Sequence, residues 1–128
     1  MEIPGRENIL KDGSYAFALR IIKANRHIVS EFKEYVLSKR LLRSGTSIGA
    51  NIAEAKQAQS RADFVSKLSI ALKETVETDY WLSLLPDSDM LTPKQADSLI
   101  ADRAELKAIL TAAIKTTKKN SQFSVLNS

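Results

Sequence analysis

The sequence predicts an all-α protein, an up-down-up-down antiparallel four-helix bundle, and three observations carry the prediction. Apolar residues recur at spacings of three and four in four separate segments, the pattern of one-sided helices. Only four glycines and three prolines occur in 128 residues, too few punctuators to cut the chain into short elements. The connections between segments are too short for a long crossover, so sequential helices must run antiparallel to their neighbours.

The first helix is expected to begin near Asp12-Gly13-Ser14, capped by Asp12 or Ser14, and to run to about Lys33. Phe17, Ile21, Ile28 and Phe32 share one face, widened by Ile22 and Val29. Arg20, Lys23, Arg26 and His27 lie across from it. The second helix is expected from Tyr35 or Ser38 to about Ala58. Leu41, Gly45, Ile48, Ile52 and Ala55 make its narrow seam. Thr46, Gly49 and Ala53 form a strip almost without side chains on one flank, and Ser44, Ser47, Asn51 and Glu54 a polar strip on the other. A glycine costs about 1 kcal/mol relative to alanine in a helix interior. Keeping two of them implies a neighbouring backbone lying close.

Ser60 is placed to cap the third helix, which is expected to span Arg61 to Leu85 and to be ended by Pro86. Its seam of Phe64, Leu68, Ala71, Thr75, Thr78, Leu82 and Leu85 alternates four and three, the spacing of helices crossing at about 20°. Thr92-Pro93-Lys94-Gln95 opens the fourth helix with a capping box and a proline at the first helical position. Leu99, Leu106, Leu110 and Ala113 line its face, and Lys118-Lys119 is its expected end. Residues 1–119 are thus read as one domain, with 120–128 as a flexible tail.

Composition narrows the function classes. Cysteine is absent, which excludes disulfides, zinc–thiolate sites and thiol nucleophiles. The polar start lacks the apolar run of a signal peptide, and no segment reaches the roughly 18 apolar residues of a membrane span, so a cytoplasmic protein is expected. The net charge of +4 is uneven. Residues 1–60 carry ten Lys and Arg against six Asp and Glu, whereas residues 61–128 carry nine of each. That bias suits an anionic partner such as nucleic acid. A carboxylate metal site in a bundle would need Glu-x-x-His pairs, and the sole histidine, His27, lies in no such context. There is no phosphate-cradling glycine loop, HExxH or nucleophile elbow. Neither catalysis nor a cofactor is expected.

Three blocks carry a family resemblance: Leu42-Arg43-Ser44-Gly45-Thr46-Ser47-Ile48-Gly49-Ala50-Asn51-Ile52-Ala53-Glu54-Ala55, the run Asp63 to Thr75, and Glu77-Thr78-Asp79-Tyr80-Trp81-Leu82. With them, roughly residues 8–119 resemble the four-helix-bundle family of 23S rRNA intervening-sequence proteins, also described as ribosomal-protein-like. The family often has Glu-Gly where this chain has Glu54-Ala55. The resemblance implies a homo-oligomeric ring, commonly a pentamer. Some relatives are encoded within inserts of 23S rRNA genes. Others resemble the accessory variability determinants of diversity-generating retroelements, which associate with a reverse transcriptase and nucleic acid.

Three groups of side chains are therefore candidates. Ser44, Ser47, Asn51 and Glu54 are expected to meet Thr75 and Thr78 in a hydrogen-bond network that fixes helix register. Glu74, Glu77 and Trp81 carry more interaction surface than one bundle core requires and are expected at a subunit interface; the bland alternative has Trp81 widening the core. Up-down topology gathers Lys11, Arg20, Lys56, Arg61, Lys67, Lys115, Lys118 and Lys119 towards one pole, the expected contact for RNA or DNA. The bland alternative there is a solvated surface that aids solubility.

Overall fold

The computed structural model describes residues 6–126, with side chains described for residues 9–120. Four helices follow in order, α1 Arg6–Phe32, α2 Leu37–Ala55, α3 Arg61–Asp87 and α4 Pro93–Leu126, and no strand occurs among the described residues. Each helix packs on the next, and α1 closes the ring against α4 along the thinnest of the four seams. This is the antiparallel bundle that the connections demand.

Helix ends show which local signals decided the outcome. α1 starts well before Asp12, because no breaker interrupts Arg6 to Lys11 and Gly13 is tolerated as an interior residue beside Leu106 of α4. Ser14, expected as a cap, is buried within the helix and donates its hydroxyl to Lys11 O at 3.2 Å. The helix stops where Lys33 turns left-handed at φ 54°. Phe32, assigned to the core stripe, sits on that last turn and is 45% exposed.

Glu34 caps α2. Its carboxylate accepts from the Val36, Leu37 and Ser38 amides at 2.8, 2.9 and 2.9 Å, and the Ser38 hydroxyl donates back to Glu34 O at 2.7 Å. Burial opposes the charge on Glu34, but the three amide donors outweigh it and hold its pKa below the usual carboxylate value. At its other end α2 tightens into bonds from the Gln57 amide to Glu54 O and from the Ala58 amide to Ala55 O, so the helix closes at Ala55, three residues early.

Ser60 caps α3 as expected, accepting from the Asp63 amide at 3.0 Å. Pro86 does not end α3 but sits in its last turn, where the only intrahelical bond it forfeits is its own. The true stop is Asp89 at φ 62°. Around it the Met90 amide reaches Leu85 O at 2.9 Å and the Asp89 amide reaches Pro86 O at 3.1 Å, a Schellman closure built on an aspartate. The Thr92–Gln95 box forms reciprocally, at 2.9 and 3.1 Å. α4 passes through Lys118-Lys119 and continues to Leu126, because no glycine or proline follows to stop it; lysines favour a helix end without imposing one. Residues 127–128 lie outside the described residues.

The core follows the predicted stripes. Phe17, Ile21 and Ile28 meet Leu41, Ile48 and Ile52, and these meet Leu68, Leu82, Leu85, Leu106 and Leu110. Every position of the expected α3 seam is buried. Each such aliphatic or aromatic side chain contributes on the order of 1.5–3 kcal/mol by leaving water.

Candidate assembly and nucleic-acid surfaces

α2 meets its two neighbours in different ways. Towards α1 the contact is bare. A methyl group on Gly45 would stand 2.8 Å from both Cγ1 and Cγ2 of Ile21, and one on Gly49 would stand 3.3 Å from Ser14 Oγ. The glycines are kept because α1 occupies the space a side chain would need.

Towards α3 the expected polar network shrinks to one pair. The Ser44 and Thr78 hydroxyls, both fully buried, are hydrogen-bonded at 3.0 Å. The remaining members bond elsewhere. Ser47 donates to Arg43 O and Asn51 to Ser47 O within α2, while Thr75 donates to Leu72 O within α3. Glu54 is exposed and pairs with Lys67 at 3.7 Å. Helical Ser, Thr and Asn side chains find a carbonyl one turn back, and that local bond satisfied them before any partner helix was needed.

Glu74, Glu77 and Trp81 come together on the outer edge of the α2–α3 seam, with Arg40 and Arg43 of α2. Arg43 Nη2 lies 2.6 Å from Glu77 and 3.2 Å from Glu74, and Trp81 Nε1 donates to the second Glu77 oxygen at 3.3 Å. The Arg40 guanidinium stacks 5.7 Å from the indole centroid, and Tyr80 meets the indole edge-on. The hydrogen bonds that Arg43 donates to Glu77, then to Glu74, raise its pKa. Burial opposes the charge on Glu77, but the Arg43 and Trp81 donors hold its pKa below the usual value. The carboxylates are thus paired within the chain, and Trp81 is half-buried against the core. Arg103 makes a comparable reach at the α3–α4 seam. Nearly buried, it lies 3.3 Å from Asp79, a pair that the helical pattern gave no reason to single out.

The basic pole is partly assembled. Lys11, Lys56, Arg61, Lys115, Lys118 and Lys119 are exposed at the end where α1 and α3 begin, α2 ends and α4 passes. Lys67 stands nearly two turns into α3 and pairs with Glu54. Arg20 does not belong there. It lies about 21 Å along α1 from Arg6, and its guanidinium is held across the α1–α4 seam by Asp102 and Ser98.

A further surface escaped the sequence reading. The outer face of α1 and α2 carries an apolar groove of about 660 Å³, floored by Ala18, Gly49, Ala50 and Ala53 and edged by Tyr15 and Lys56. Tyr15 and Leu19, one turn apart, are 68% and 52% exposed. The signal was present as apolar residues on α1 in excess of its core stripe. Among the described residues no group of three His, Cys, Asp or Glu stands close enough to hold a metal ion, and no helix is long and apolar enough to cross a membrane.

These features define a class first, an antiparallel four-helix bundle whose distinctive residues serve packing and surface contacts. The family model for the 23S rRNA-intervening sequence protein matches residues 6–112, and the chain belongs to that family. Among solved structures it is similar to a protein of unknown function from the S23 ribosomal protein family of Bacteroides thetaiotaomicron. The two are 53% identical, the match covers 86% of this chain and 98% of that one, and the TM-score is 0.85. No curated protein matches the chain.

Proposed function

We propose that this protein is a non-enzymatic cytoplasmic scaffold that assembles as a homo-oligomeric ring, a pentamer by family resemblance, and contacts nucleic-acid backbone through its basic poles. The observation that carries this reading is the exposed cation cluster built from all four helices at one end of the bundle, Lys11, Lys56, Arg61, Lys115, Lys118 and Lys119. Symmetry would repeat that cluster around a ring and raise a weak patch to a multivalent one. Contacts of this kind read phosphate, not bases, so binding should be steeply salt-dependent and tolerant of sequence. A bound reverse transcriptase or other nucleic-acid enzyme would be a partner of the same assembly.

A gel shift with structured RNA and with duplex DNA across a salt series tests this. The Lys115→Glu, Lys118→Glu, Lys119→Glu triple variant should lose retention, and unchanged retention would remove the nucleic-acid role. The second reading is a structural or protein-interaction ring that binds no nucleic acid. It is favoured by the exposed apolar groove of α1 and α2, and sedimentation showing an assembly that retains neither RNA nor DNA would establish it.

A further inference from the structure

The thin α1–α4 seam leaves a second groove, on a side of the bundle away from the basic pole. Its α1 wall carries Arg20, Lys23 and His27 at spacings of three and four, which puts them on one face over about 10 Å. Its floor is apolar, made by Ala24, Leu91 and Leu99, and Gln95 stands on the α4 rim. The volume is about 350 Å³, at the lower end of small-ligand sites.

The donors are arranged unevenly. Arg20 is neutralised by Asp102 and steadied by Ser98, so it is a fixed post with guanidinium hydrogens to spare. Lys23 and His27 are exposed, the imidazole edge-on to Phe32 at 6.0 Å, and no Asp or Glu is among the residues that line the groove. Gln95 uses its carbonyl oxygen to accept from the Thr92 amide, which leaves its NH₂ group as the end that can donate to a ligand. The side chains that line the groove therefore offer donors and no carboxylate above an apolar floor.

The geometry points to a nucleoside monophosphate as the occupant. Lys23 and His27, one helical turn apart, bind separate oxygens of a single phosphate, which supplies three where a carboxylate has two. The base lies over Leu91 and Leu99 with an edge acceptor towards the Gln95 amide. This site is independent of the basic pole, and a free nucleotide and one within a strand present it with the same phosphate chemistry.

The chain carries one histidine and one tryptophan, which makes the test direct. Adenosine 5′-monophosphate, inorganic phosphate and a short single-stranded oligonucleotide are titrated into the full-length protein, following the His27 imidazole and Trp81 indole signals by NMR. Adenosine monophosphate should move the imidazole and leave the indole, at least tenfold more tightly than inorganic phosphate. The Lys23→Glu variant, which reverses a charge without touching the core, should weaken it at least tenfold at unchanged helicity. The Lys115/Lys118/Lys119 triple variant should leave it intact, separating this site from the pole. Oligonucleotide binding at His27 as well would show that strands also enter. Equal affinity for inorganic phosphate, an unmoved imidazole, or binding lost only in the triple variant would overturn the assignment.

Discussion

The two long faces of α2 solve one packing problem by opposite means. Against α1 the helix gives up side chains, and Gly45 lies so close to Ile21 that an added methyl would overlap its branch. Against α3 it keeps them, with Ser44–Thr78 buried at the centre and Arg43 clasping Glu74 and Glu77 at the rim. Removal of atoms sets the distance between helices but says little about sliding along them. A hydrogen bond between two particular hydroxyls fixes register but adds little energy. The difference teaches that the glycine-bearing helix of this chain combines a spacer and a register mark.

The largest expected effect is at the spacer. Gly45→Val should destabilise the fold by about 3 kcal/mol or more, since a β-branched side chain must displace Ile21 from the packed core. Gly45→Ala should lose about 1–2 kcal/mol, the overlap exceeding the gain in helix propensity. Thermal or urea unfolding measures both, and Ile21→Ala combined with Gly45→Ala should be less unstable than the two losses summed. Additive losses would mean the close contact is not what keeps the glycine. Gly49→Ala, with only the Ser14 hydroxyl to move, should stay within about 1 kcal/mol of the parent.

The register mark comes next. Ser44→Ala or Thr78→Val should each lose about 1 kcal/mol, whereas Asn51→Ala, bonded only within its own helix, should lose less. An Asn51 effect larger than that of Ser44 would restore the wider network anticipated from the polar strip. Glu34→Gln should lose about 1 kcal/mol near neutral pH by weakening the α2 cap. Because folding lowers the pKa of Glu34, this contribution is complete above the unfolded-state carboxylate pKa and disappears as pH falls through the lower folded value. The variant and parent should therefore converge in acid, as read from unfolding midpoints across pH. Smallest of all, Arg43→Ala should change stability by less than about 1 kcal/mol, because its pairs are at the exposed rim.

What was legible in the sequence follows the range of the interaction. The Ser60 cap and the Thr92–Gln95 box are closed by residues three positions apart, and both form as read. The core stripes were equally legible because periodicity reports a whole face at once. Glu34 was missed because its capping depends on a long side chain folding back over the next turn. Asp12 and Ser14 misled because they have a cap's chemistry inside a stretch with nothing to stop a helix. Arg20 was misplaced because charge was assigned by topology, while its partner Asp102 is reached only across the α1–α4 seam. The apolar α1–α2 groove likewise needs two helices to exist.

The basic pole is where fold and proposed function meet, and the salt dependence of RNA binding tests it most directly. Fluorescence anisotropy gives log K against log salt for the parent and for the Lys115/Lys118/Lys119 variant. Loss of three phosphate contacts from each engaged protomer should flatten the slope by about three per protomer and weaken binding across unrelated sequences. An unchanged slope would contradict the account.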